Sequence, residues 1–226
     1  MRPNPSVTGH AGNGNGKRPP GRPRSEHARL AILRSTLKLL QENGFSDFTI
    51  EEVADRAAVG KSTVYRWWPN KGALIADAFA NSVTPDLHFP DTGSIDKDMS
   101  QQMRQLVKVF SGPQGRIVSA ILGAGQSDPE LIEAFRERFL MPRRREAYST
   151  LRRAVVRGEL RRDIDPDLLL DSLYGPIYMR FLIRHDRLTP EFVDCLSALV
   201  LAGARPRHRN RSKSRRPRTR LSRARL

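Results

Sequence analysis

Residues 49–74, TIEEVADRAAVGKSTVYRWWPNKGAL, constrain this chain more than any other stretch. Ile50, Val53, Ala54 and Ala57 share one face of a first short helix. Thr49 and Glu52 form a capping box at its start. Val64 and one of Trp67 and Trp68 mark the inner side of a second helix, over about residues 61–67. Lys61, Ser62, Thr63 and Arg66 are left for its outer side. The two helices are pinched around Ala58-Val59-Gly60, where Gly60 allows a tight entry to the second. Such a helix-turn-helix serves to place its second helix in the major groove of DNA.

The formal charge of +16 over 226 residues points the same way until its distribution is read. Residues 1–24 carry five Lys or Arg and no acid, and residues 205–226 carry eleven and no acid. These account for the whole excess, so residues 25–204 are formally neutral. The helix-turn-helix must therefore carry the DNA argument itself. Both ends read as disordered. The first is rich in Gly, Asn and Pro and the second in Arg and Ser, with little to bury. A single cysteine, Cys195, rules out a disulfide framework within one chain. No apolar run has the roughly 18 residues of a membrane span, and the N-terminus has no secretory apolar region, so the expected location is cytoplasmic.

Residues 25–204 read as all helix. Ser25 caps a first helix, with Leu33, Leu37 and Leu40 on one face and Asn43-Gly44 as its stop. Asn70 opens a helix over about residues 71–82. Met99, Met103, Leu106, Val107 and Phe110 mark another, and residues 117–126 a shorter one. Asp128-Pro129-Glu130 starts a long helix reaching residue 157, which Pro142 should kink or break. Asp165-Pro166-Asp167 and Thr189-Pro190-Glu191 open the last two, with Gly175-Pro176 a candidate bend in the first of them. Phe192, Leu196, Leu199 and Val200 form the apolar set of the final helix.

Over residues 29–79 the chain resembles the TetR/AcrR family of bacterial transcription regulators. The resemblance rests on ILRSTLKLLQENGF, TIEEVADRA, AVGKSTVYRWW and PNKGAL. It implies an all-α protein: an N-terminal three-helix helix-turn-helix domain and a C-terminal helical ligand-binding and dimerisation domain. The expected divisions are a basic arm (1–24), the DNA-binding domain (25–82, motif 49–68), a regulatory domain (83–204) and an Arg-rich tail (205–226). By the resemblance, Thr49, Tyr65 and Lys71 contact phosphates, while Lys61, Ser62, Thr63 and Arg66 face base edges of double-stranded DNA. Two positions depart from the family pattern. Gly60 replaces a common capping Ser, and Gly72 replaces a common acid, which should loosen the start of the fourth helix. The implied assembly is a homodimer through the last two helices, 167–184 and 191–201. It represses from a palindromic operator and is released by a small apolar or aromatic effector.

Other features divide between a specific and a plain reading. Pro20-Gly21-Arg22-Pro23-Arg24 has the form of an AT-hook core, in which Arg22 and Arg24 would enter an A·T minor groove; so short a motif has many chance matches, and a flexible basic linker is the favoured reading. Met103, Phe110, Phe135, Phe139, Tyr174 and Tyr178 are candidates for lining an effector pocket, although each also suits an ordinary core. Arg143-Arg144-Arg145 reads as a solvated helix face and Cys195 as a buried structural thiol. Asp163, Asp165 and Asp167 lack the Gly and distal Glu of a calcium loop, and the five His have no metal-ligand spacing, so neither a metal nor another cofactor is expected. No nucleophile–base pair or phosphate loop suggests an enzyme. The competing function is a nonspecific, nucleoid-type DNA binder driven by the basic tails.

Overall fold

The computed structural model describes residues 25–206 apart from Ser46. The basic arm with Arg22 and Arg24, and the tail from residue 207, lie outside the described residues. Within them the chain is helical and no strand occurs. None of these helices is long and apolar enough to cross a membrane.

The first three helices are α1 (Glu26–Asn43), α2 (Ile50–Arg56) and α3 (Lys61–Trp67). Ser25 Oγ accepts from the Ala28 amide at 3.3 Å and starts α1. Gly44, at φ +76°, ends it in the left-handed region that glycine tolerates. α4 (Lys71–Val83) begins where Asn70 Oδ1 accepts from the Ala73 amide at 2.8 Å. It packs against α1 on one side and against the C-terminal half on the other. Apolar residues on both sides of α4 make this possible: Leu74, Ile75, Ala76, Ala78 and Phe79 are all fully buried.

The C-terminal half comprises α5 (Ile95–Ser111), α6 (Pro113–Ala124), α7 (Pro129–Phe135), α8 (Met141–Val156), α9 (Pro166–Ile183) and α10 (Pro190–Ala204). α6 starts four residues before the sequence expectation, because Pro113 takes the first helical position directly after Gly112. Proline lacks an amide that would be unpaired there anyway. The expected break at Pro142 appears as a wider π-type turn over Arg136–Leu140, between α7 and α8. The proline ring has no amide to donate to the Arg138 carbonyl and crowds it, and the extra residue per turn relieves that crowding. α9 remains helical through Pro176. Phe79 of α4 meets Phe139 edge-on at 5.0 Å and Phe135 at 5.9 Å, so one aromatic cluster joins the two halves.

Three sequence expectations change here. Gly72 does not loosen α4: it is buried at a close backbone approach to α7. Cys195 is exposed, because the buried side of α10 is formed by Val193, Leu196, Ser197, Leu201 and Ala204. Leu199 also faces outward, at 75% exposure.

Candidate nucleic-acid interface

α2 and α3 are held together by buried Ile50, Val53, Ala54 and Val64. Thr49 Oγ1 accepts from the Glu52 amide at 3.2 Å and donates to Glu52 Oε2 at 2.9 Å, so Thr49 caps α2 as expected, while Glu52 reaches back to the Thr49 hydroxyl in place of its amide. The turn is tighter than glycine chemistry suggests. Ala58 takes the left-handed conformation at φ 53°, whereas Gly60 sits at an ordinary φ of −71° and supplies no side-chain cap. The Val59 amide donates to the Ala54 carbonyl at 3.0 Å and closes the turn.

This packing aims Val64 inward and leaves Lys61, Ser62, Tyr65 and Arg66 exposed, with Thr63 half-buried. Trp68, rather than Trp67, is the inward tryptophan, at 1% exposure. Thr49 is exposed at the entrance to α2. Lys71 is placed differently: its Nζ donates to the Phe45 carbonyl at 3.2 Å and lies over the Phe45 and Phe48 rings at 4.8 and 5.3 Å. Burial lowers its pKa. Lys71 thus braces the start of α4 against the α1–α2 connection.

Lys61 is ion-paired with Glu51 of α2. The hydrogen bond from Lys61 holds the Glu51 carboxyl below its usual pKa and raises that of Lys61. This acid occupies Lys61 and would repel a nucleic acid brought to the outward face of α3. Glu51→Gln is therefore expected to tighten DNA binding by roughly threefold, the scale of an exposed ion pair, and to steepen its salt dependence. Titration at several salt concentrations checks this; unchanged affinity and slope would show that Lys61 is not near DNA.

Two family models match the chain. The model described as bacterial regulatory proteins, tetR family, covers residues 32–78, and the tetracyclin repressor-like C-terminal domain covers residues 89–200. The chain is 40% identical over 173 residues to the uncharacterized HTH-type transcriptional regulator YdeS of Bacillus subtilis, spanning 76% of this chain and 87% of that protein. The chain belongs to the TetR family of transcriptional regulators. It is also 30% identical over 193 residues to the DNA-binding transcriptional repressor TetR of Mycobacteroides abscessus, spanning 80% and 98% of the two chains. Among solved structures, the TetR family transcription regulator SCO0332 aligns with a TM-score of 0.71 and 37% identity, over 80% of this chain and 100% of that one.

A cavity of about 60 Å³ lies between α5, α8, α9 and the connection after α4. Of the six pocket candidates read from the sequence, Phe139, Tyr174 and Tyr178 line it. Met103, Phe110 and Phe135 do not. Met103 is fully buried core, Phe110 stacks on Phe181 at 4.3 Å, and Phe135 belongs to the cluster around Phe79. Gln102, Arg143 and Arg144 were missed as lining residues. Arg143 and Arg144 are not a solvated face: their side chains are 11% and 19% exposed. Arg143 Nη1 donates to the Leu87 carbonyl at 2.6 Å, and Arg144 pairs with Asp167 and with Asp171, the latter at 2.7 Å. Only Arg145 of the three is exposed, a difference that 3.6-residue periodicity could have suggested but not assigned. Burial pushes the Tyr178 hydroxyl up to about 12 and raises Tyr174 as well, so both stay neutral hydroxyls.

Proposed function

We propose that this regulator binds a palindromic operator as a homodimer, represses transcription from it, and is released by a small apolar or aromatic effector. The observation that carries the DNA reading is the outward face of α3. Lys61, Ser62, Tyr65 and Arg66 are solvent-exposed on a helix whose opposite side is fixed by Val64 and the adjoining Trp68. In this reading Arg66 and Lys61 address guanine edges, and Thr63 and Ser62 address neighbouring bases. Thr49 and Tyr65 hold phosphates, and Lys71 lends a third phosphate contact from its braced position.

Dimerisation through α9 and α10 is supported by an exposed row of apolar and small residues. Leu168, Ser172, Gly175, Met179 and Leu182 follow a 4-3-4-3 spacing along the exposed side of α9, while Leu169, Leu173 and Ile177 fill its buried side. Cys195, Ala198, Leu199 and Ala202 form a matching exposed strip on α10. A helix apolar on two sides calls for two partners, and a second copy of the same strip is the isologous solution.

The test combines light scattering with footprinting. The expected result is a dimer at micromolar concentration protecting two half-sites about 34–36 Å apart, or a multiple of that distance. Arg66→Ala should weaken operator binding by about 1–3 kcal/mol, yet weaken binding to random DNA far less. A stable monomer would refute the dimer. Equal loss on both DNAs would favour the nucleoid-type alternative, which the family relationship does not support.

A further inference from the structure

Arg143, one of the residues lining the cavity in the regulatory half, carries an unmet donor. Arg143 projects from α8 with one arm fully used: Nη1 donates to the Leu87 carbonyl at 2.6 Å and to Glu146 Oε2 at 2.7 Å. Its guanidinium lies over the Phe89 ring at 4.7 Å. The other arm, Nη2, is buried and has no hydrogen-bond partner. A buried guanidinium N–H left unpaired costs more than a neutral one, so the position favours whatever acceptor fills it. The remaining charges of the wall do not provide one. No carboxylate lines the cavity, and Arg144 turns its charge outward to Asp167 and Asp171. Gln102 Oε1 is already engaged by the Tyr174 hydroxyl. The rest of the lining is apolar or aromatic, including Leu106, Phe139, Leu170 and Tyr178.

We propose that the effector is a compact organic monoanion, a carboxylic acid with an apolar or aromatic body, bound with one carboxylate oxygen on Arg143 Nη2. This inference rests on the effector reading above and names its chemical class. A monoanion suits the site better than a phosphate ester, because Arg143 supplies the one charged donor left open in a lining otherwise made of neutral hydroxyl and amide groups and apolar side chains, and a second charge would be buried unpaired. The cavity of about 60 Å³ holds a carboxylate with a short apolar stub, so a ring requires the walls to part. The walls include Phe139 and Leu140 of the π-type turn, which joins α8 to α7, and α7 packs directly on α4. A ligand that enters only the parted form binds one state better than the other, which is the condition for regulation.

The experiment compares matched acids and amides on the purified full chain by calorimetry: benzoate and phenylacetate against benzamide and phenylacetamide. The expected result is at least about tenfold tighter binding of each acid, the scale of one charge-assisted hydrogen bond. Arg143→Met should erase that preference. If this variant fails to fold, the acid–amide comparison on the unaltered protein still decides. Equal binding of acid and amide, no binding of any of the four at millimolar concentration, or a preference that survives in a folded Arg143→Met protein would overturn the proposal. DNA release is measured separately. An acid bound with the expected preference that leaves operator affinity unchanged would sink the effector reading and leave the anion site standing. Equal binding of acid and amide accompanied by DNA release would do the reverse.

Discussion

Trp68→Ala is expected to unfold the DNA-binding half under conditions where the native protein is stable. Trp68 ends α3 and is 1% exposed, and Val64 one turn earlier is fully buried. Removing a buried indole removes its apolar burial and leaves a cavity, together about 3–5 kcal/mol. The ring is also a strut. Its Nε1 donates to Asp77 Oδ2 of α4 at 2.9 Å, and the same oxygen lies 3.4 Å from Arg29 Nη1 of α1. One carboxylate thus joins α1, the end of α3 and α4. Two companion variants separate the contributions. Trp68→Phe keeps most of the ring but leaves Asp77 without its indole donor, for about 1–3 kcal/mol. Asp77→Asn keeps an acceptor for the indole and loses only a partly exposed ion pair, for about 0–1 kcal/mol. Denaturant unfolding should rank the three in that order, with operator binding lost first in Trp68→Ala. A Trp68→Ala protein within about 1 kcal/mol of the parent would mean that the indole is not what fixes α3.

The DNA-binding half was legible because its signals are local. Thr49 with Glu52, the apolar set at 50, 53 and 54, and Asn70 at the start of α4 each act within one helical turn, so a sequence window contains both partners of every contact. The same holds for the Asp-Pro and Thr-Pro starts of α7, α9 and α10. What was misread depends on partners far along the chain. Gly72 looks like a weak helix start until Leu131 is placed against it. Arg143 looks solvated until the Leu87 carbonyl and the Phe89 ring cover it. Cys195 and Leu199 belong to an apolar helix, but which of its sides meets α5 is decided by the fold, and both lie on the other side. The pocket was half legible for the same reason. Tyr174 and Tyr178 are four residues apart on one side of α9, whereas Phe135 is separated from the cavity by the π-type turn after α7. The left-handed residue of the turn, Ala58, has no sequence signal of its own, because glycine is the residue that composition would suggest for such a conformation and Gly60 does not adopt it.

Gly72→Ala should destabilise the protein and alter its grip on DNA, although glycine-to-alanine within a helix ordinarily stabilises by about 1 kcal/mol. A Cβ at Gly72 would lie 2.9 Å from Leu131 Cα and 3.2 Å from Leu131 N. These are backbone atoms of α7 and have no rotamer to escape into, so α4 and α7 must separate. Overpacking of this kind costs about 1–3 kcal/mol, which outweighs the gain in propensity. The midpoint of thermal unfolding should fall by about 2–4 °C for each kcal/mol in a chain of this size. Gly123→Ala provides the control: Gly123 is exposed within α6 with nothing near its absent Cβ, so this change should stabilise by about 0.5–1 kcal/mol. The consequence for DNA follows from what else is anchored at this point. Asn70 Nδ2 donates to Glu130 Oε2 of α7 at 2.9 Å, and Lys71 holds the Phe45 carbonyl ahead of Thr49. A displaced α4 start therefore carries the α1–α2 connection with it and changes where Thr49 and α3 are presented. On its other side α7 runs through the π-type turn into α8, which bears Arg143. Gly72 thus sits on one of the routes by which movement of the cavity walls reaches the DNA-binding face, beside the Phe139–Phe79 contact. If Gly72→Ala matched the parent in both stability and operator affinity, the α4–α7 contact would be slack, and communication between the halves would have to run through the Phe139–Phe79 contact or through α6, which also touches α1 and α4.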